Sequence, residues 1–337
     1  MRILFVGSFL SLQTGTKSIA EKLAEHWQEN GGPKARLVSR YSNKYLRLSS
    51  ILLGIFFYRG ELVNVDVFSG NSLLIAKLVS RISKLRGLKL VLTLRGGAIP
   101  DELNQRTEEY RSVLSQADYI QTPSHFLAAA IENKLGIKAN YLPNPINLER
   151  FRPRPETQGI NLLWVRAFSE IYNPDLAIKT LSILKADFPD LRLTMIGPDK
   201  GILPQAKELV KALSLEDSVD FIGPVANEKL ASYYQSHAVY LNTTSYESFG
   251  TAVVEAAATA LPIVSTRVGE LPYLWEHDVN VKFSPKIEAE SFAKEVADLL
   301  INPSKALQIG QAGANRVQEF EWNSINENWI NLIDNFS

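Results

Sequence analysis

Residues 239–275 hold the side chains best suited to chemistry. A strand is predicted to end near Thr243 and to run into a loop carrying Glu247, and Ser248 is positioned to cap a helix that reaches Ala258. Gly250 and Thr251 fall in the first turn of that helix. The first amides of a helix lack intrahelical acceptors and sit at the positive end of its dipole, so they attract anions, and a glycine there lets a phosphate approach the backbone. Thr251 and Glu255 are four residues apart, which puts them on one face about 6 Å apart along the axis. A diphosphate at Thr251 and a ribose diol at Glu255 fit that spacing. An ordinary capped helix with one solvent-facing glutamate fits it equally well.

Other chemistries lack their residues. There is no cysteine, so no thiol nucleophile, and no G-x-S-x-G elbow. Neither G-x-G-x-x-G nor a Walker A loop occurs, which argues against hydride transfer and P-loop phosphoryl transfer. The histidines at 26, 125, 237 and 277 are scattered without metal-ligand spacing, and no Asp-x-Asp is present. Neither a metal nor a cofactor is expected.

Such residues must be positioned by a framework, and the chain alternates apolar runs with helical periodicity, the pattern of parallel βαβ units. Strands are predicted at 2–6, 35–39, 63–67, 89–94 and 119–122. A helix over 16–30 places Ile19, Leu23 and Trp27 on one face. Residues 143–155 carry four prolines, which remove backbone donors and interrupt helices, so this stretch is predicted to be the linker. A second alternation follows, with strands at 161–165, 191–196, 219–222, 239–241 and 262–265. Asn173-Pro174 opens a helix with Leu176, Thr180 and Leu184 at helical spacing. The expected fold is α/β: two doubly wound parallel-sheet domains, with ligands at the carboxyl ends of the strands and in the cleft between domains.

The chain of 337 residues is 45% apolar, enough for a sizeable core, and its 36 basic and 36 acidic side chains cancel. That balance conceals two opposite halves. Residues 1–150 carry 20 basic and 12 acidic side chains, and residues 151–337 carry 16 and 24. The apolar run before Gly7 is too short for a signal peptide, and the eight-residue run 51–58 is far short of a membrane span, so a cytoplasmic protein is expected. Nucleic acid is not an expected partner.

The segment around Glu247 resembles the signature of glycosyltransferase family 4. Its E-S-F-G-x-x-x-x-E is matched from Glu247 to Glu255, followed by Ala260-Leu-Pro-Ile-Val264 and Val268-Gly-Glu-Leu-Pro272. Residues 143–153 resemble that family's interdomain motif, and 320–333, with Trp322 and Trp329, resemble its terminal helix that crosses back to the first domain. The E-S-F-G segment and P-N-P-I-N separate the chain from sugar-nucleotide epimerases of similar fold. The resemblance implies a GT-B fold with an acceptor-side domain over 1–150, a nucleotide-sugar-binding domain over 151–319 and a returning helix over 320–337. It also implies transfer of a sugar from a nucleoside-diphosphate sugar to a saccharide or lipid-linked acceptor, with retention of configuration and without metal. Glu247 would contact the donor sugar, Gly250 and Thr251 the phosphate, Glu255 the ribose, and Arg166 the diphosphate. Gly15 and Thr16 would lie in the first-domain loop that faces the donor phosphates. Asp199 has two readings, beside the nucleobase or as a solvated turn aspartate.

Two positions depart from that pattern. The family's lysine after the arginine is replaced at Ile171 and Tyr172, and the first-domain histidine position holds Arg95, a permanently charged group that would meet a phosphate or an acidic sugar. Arg95 also has Asp101 and Glu102 as potential partners, and Arg166 has Glu170. A protein that binds sugar nucleotides or acts as a scaffold without turnover is the alternative. Finally, residues 31–100 hold twelve basic residues against Glu61 and Asp66 alone. Within them, residues 34–59 mix basic residues with ILLGIFFY, which suits either a helix lying on an anionic membrane surface, giving a peripheral location, or a solvated basic face over a buried helix.

Overall fold

The computed structural model describes residues 2–11, 17–153 and 160–336, so Gly15 and Thr16 lie outside the described residues. The chain divides into two compact units: Met1–Pro145 with Trp322–Ser337, and Ile146–Glu321. The division falls within the proline-dense stretch, five residues before position 150.

The first unit is built on a six-stranded sheet of β1 (Arg2–Val6), β2 (Lys34–Val38), β3 (Leu62–Val67), β4 (Lys89–Leu94), β5 (Tyr119–Thr122) and β6 (Asn140–Tyr141), in the order β2-β1-β3-β4-β5-β6. All its pairings are parallel. Every residue of β3 is buried, as expected where helices cover both faces of a parallel sheet. The helix Ile19–Asn30 starts at Ser18, whose hydroxyl accepts from the Glu21 amide while Glu21 returns a bond to the Ser18 amide, a capping box. The final helix, Trp322–Asp334, belongs to this unit. It buries Ile325, Trp329, Leu332 and Ile333 against Ile3, Phe5 and Trp27. Phe5 stacks on Trp27 and meets Trp329 edge-on, each with 5.9 Å between centroids, and the Trp27 indole donates to Asn326 at 2.6 Å.

The second unit carries β7 (Leu162–Val165), β8 (Leu193–Ile196), β9 (Val219–Gly223), β10 (Val239–Asn242), β11 (Ile263–Ser265) and β12 (Lys282–Phe283), in the order β12-β11-β10-β7-β8-β9. It too is wholly parallel. In both sheets the strand order reverses beside the unit's first strand, between β1 and β3 and between β10 and β7. The loops leaving such a pair diverge and open a crevice at the carboxyl ends. Two doubly wound α/β sheets are what the alternation predicts. No helix among the described residues is long and apolar enough to cross a membrane.

Candidate functional site

In the second unit the crevice is formed by Arg166, which follows β7, and by Asn242 and the loop beyond β10. The Arg166 guanidinium donates from Nη2 to Glu247 Oε2 at 2.7 Å, and from Nε and Nη2 to Asn242 Oδ1 at 3.3 and 3.0 Å. Its cation lies 5.3 Å from the centre of the Tyr172 ring. Burial is the largest influence on Arg166 and opposes its charge, but the Glu247 carboxylate together with Tyr240, Tyr172 and Tyr234 outweighs it, so the pKa is raised. The bonds of Arg166 run from Nε and Nη2, and none runs from Nη1 among the described residues. Sequence reasoning offered Glu170 as an alternative partner for Arg166; the structure pairs it with Glu247, and Glu170 is exposed.

Glu247 is fixed from several sides. Its Oε1 accepts from the amides of Ser248 and Phe249 at 3.2 and 3.4 Å. Its carbonyl accepts from the Glu270 amide at 3.0 Å. That contact needs Gly269, whose φ is +54° and where a Cβ would stand 2.0 Å from the Glu247 carbonyl oxygen. The preceding loop is tied to Ile171 and Tyr172 by Thr243 Oγ1 donating to the Tyr172 carbonyl and the Ser245 amide donating to that of Ile171, at 2.7 and 2.8 Å. Thus the residues at the lysine positions hold the Glu247 loop through their carbonyls, and Tyr172 also lies against the arginine.

The helix beyond begins at Thr251 and runs to Ala258, and its cap is Gly250 at φ +88°, ψ +46°, with no side chain bonded to the first amides. Ser248 was expected to cap this helix. Glycine's left-handed turn does so instead and leaves the positive end open, with the side chain of Thr251 exposed. One turn further, Glu255 is only 6% exposed, which removes the solvent-facing reading. Its carboxylate receives Tyr234 at 3.2 Å and Asn227 at 3.4 Å. Burial, and then the neighbouring Glu255 charge, push the Tyr234 phenol well above its usual pKa, so it stays a hydrogen-bond donor. Asn242, Tyr234 and Asn227 touch these residues and were not singled out in the sequence, where Tyr172 was marked only as standing at a lysine position.

Arg166, Glu247, Gly250, Thr251 and Glu255 therefore gather in one unit, at one sheet's switch point. Asp199 takes the Gly201 and Leu203 amides at 2.7 and 3.2 Å, and these bonds lower its pKa, as a turn aspartate should behave. Arg95 belongs to the first unit and follows β4. Its Nε donates to Asp66 at 2.9 Å and its Nη1 to Asn144 at 2.6 Å, so its partners are not Asp101 or Glu102. Glu102 instead receives the Gly70 amide and the Tyr110 hydroxyl. The first unit's own switch point holds a cavity of about 340 Å³ lined by Gly7, Ser8, Arg47, Asp66 and Ser69. Among the described residues no group of three His, Cys, Asp or Glu could hold a metal ion.

Comparison with known proteins places this arrangement. Residues 146–316 match the family model described as glycosyl transferases group 1. D-inositol 3-phosphate glycosyltransferase of Streptomyces coelicolor is 23% identical over 252 residues, covering 63% of this chain and 55% of that protein. The same enzyme of Pseudarthrobacter chlorophenolicus is 26% identical over 247 residues, covering 68% and 59%. The chain spans somewhat over half the length of these curated relatives. Among solved structures, sucrose-phosphate synthase of Thermosynechococcus elongatus superposes with a TM-score of 0.82 at 18% identity over 99% of this chain and 98% of that one. HepE of Anabaena in complex with UDP-glucose superposes at 0.78 and 17%, over 99% and 100%. The fold is that of the GT-B glycosyltransferases, and the matched segment spans the crevice of Arg166 and Glu247. The chain belongs to the group 1 glycosyl transferases.

Proposed function

We propose that this chain transfers a sugar from a nucleoside-diphosphate sugar to a saccharide or lipid-linked acceptor, with retention of anomeric configuration and without a bound metal. The observation that carries the reading is the open helix end at Gly250, beside the Arg166–Glu247 pair and one turn from the buried Glu255. The diphosphate is taken by the amides of the first turn and by Arg166 Nη1, and Glu255 receives the ribose hydroxyls. As the bond from the anomeric carbon to the diphosphate breaks, negative charge gathers on the leaving oxygen. Dipoles and a cation already held in place stabilise it without reorganising. Glu247 lies beside the sugar as positive charge develops there. Metal independence rests on this division of labour, because the amides and guanidinium supply the positive charge that a divalent ion would bring.

HepE's complex with UDP-glucose supports a nucleotide-sugar donor, and the inositol-phosphate enzymes' name suits a phosphorylated acceptor for the basic first unit. We place the enzyme in the cytoplasm on its lack of cysteine. Incubation with UDP-, GDP- and ADP-sugars should release nucleoside diphosphate with one of them, and a chelator should leave the rate unchanged. Binding without release would support a sugar-nucleotide-binding protein instead. The observation favouring that alternative is Arg95, whose charge is already met by Asp66.

A further inference from the structure

The helix Lys44–Phe56 of the first unit turns an apolar face outward. It packs through Ile51, Gly54 and Ile55. On the opposite side Tyr45, Leu46, Leu53, Phe56 and Phe57 are between 56% and 70% exposed. At 100° per residue these five and Ser49 fall within one stripe about a third of a turn wide. Sequence analysis left open a solvated basic face over a buried helix; the exposed face is instead apolar, with the basic residues around it. A stripe of this kind marks an interaction surface.

Charge says what it meets. Between Asn30 and Gly60 there is no Asp or Glu, while Lys34, Arg36, Arg40, Lys44, Arg47 and Arg59 are all present. None of the six is ion-paired among the described residues. At the C-terminal end of the helix, beside the edge strand β2, lies a cavity of about 270 Å³ lined by Arg2, Lys34, Arg36, Arg59, Phe57 and Tyr58. The Tyr58 side chain is buried, and its hydroxyl has no hydrogen-bond partner among the described residues. Arg2 and Arg36 act on that phenol with Glu61 opposing them, and a buried, unpartnered donor beside a cavity lined by four cations is a site short of an anion.

We propose that this face docks on an anionic lipid bilayer, with Leu46, Leu53, Phe56 and Phe57 entering the headgroup boundary and a lipid phosphate seated at Arg2, Lys34, Arg36 and Tyr58. A helix lying in the interface needs an apolar stripe flanked by cations, and both are present. A protein partner or a second copy would also cover apolar surface, but neither accounts for six cations without an ion pair among the described residues and a cation-lined cavity beside the stripe. The proposal does not depend on the transferase reading, since none of these residues belongs to the Arg166 crevice.

The test is cosedimentation of the full chain with vesicles of equimolar phosphatidylglycerol and phosphatidylcholine, and with phosphatidylcholine alone. Binding to the first only, weakened by salt, is expected. The variant Leu53→Ser/Phe56→Ser/Phe57→Ser should lower the vesicle partition coefficient at least about tenfold, and Arg36→Gln/Arg59→Gln should do so by a similar factor. Both should keep the parent melting temperature and nucleotide affinity, because the altered side chains are exposed. Tyr58→Phe should weaken binding to the anionic vesicles while leaving the helix packed. No binding to anionic vesicles, equal binding to both kinds, or binding unchanged by the variants would overturn the proposal. So would self-association of the parent chain that disappears in the triple-serine variant.

Discussion

Arg95 and Arg166 each follow a parallel strand, each is 10% exposed at its side chain, and each is paired with a carboxylate. Their surroundings differ because their strands occupy different places in their sheets. β7 adjoins the point where strand order reverses, so Arg166 faces a crevice, its partner Glu247 comes from a loop, and an uncapped helix end lies beside them. β4 lies one strand away from its sheet's reversal, and the neighbouring β3 supplies Asp66, 3% exposed, to neutralise Arg95. The same residue at the end of a parallel strand meets a loop carboxylate at the switch point in one case and a strand carboxylate within the sheet in the other.

The largest effect should come from Glu247→Gln. The amide still accepts from Arg166, so the melting temperature should hold, while release of nucleoside diphosphate should fall by about 10²–10³. Near-parental turnover would remove the distinction between the two arginines. Asp66→Ala should act on stability instead, because it leaves a guanidinium buried without its anion. Urea denaturation should show a loss of about 3–5 kcal/mol, with nucleotide affinity unchanged. If that variant folded normally and lost turnover, Arg95 would join the catalytic set. Glu255→Gln should weaken nucleotide binding about tenfold by calorimetry, the worth of one hydrogen bond to a charged group, and should abolish preference for ribose over deoxyribose. The smallest effect is expected at Ala260, a non-glycine residue at φ +56°. Ala260→Gly relieves that strain and should stabilise the fold by about 0.5–1 kcal/mol with activity unchanged, showing that stability of the second unit can move without its chemistry.

The alternation of strand and helix was legible because every buried strand of a parallel sheet reads as an apolar run. β6 and β12, two residues each, carry too short a run to be recognised. Arg166 and Glu247 were each marked by type and motif, but their bond joins positions 81 apart, and no local pattern encodes it. Asp66 did carry a signal: a carboxylate inside the run LVNVDV must be buried and so needs a cation. Burial of Glu255 was also readable, since TAVVEAAA has apolar or small residues on every face apart from that glutamate. The outward face of Lys44–Phe56 was not, because apolar residues occur on both sides and only packing shows which side the protein keeps.

The first unit is interrupted in sequence, whereas the second runs unbroken from Ile146 to Glu321. That interruption has a consequence for the order of events on the ribosome. The aromatic cluster of Phe5, Trp27 and Trp329 cannot close until the whole second unit has been made, because two of its three members precede that unit and the third follows it. The second unit has its entire core in hand sooner. Domains usually mature in the order of their N-termini; here the later-starting unit is free to finish first, and the nascent first unit holds Ile3, Phe5 and Trp27 unsealed until the helix Trp322–Asp334 emerges.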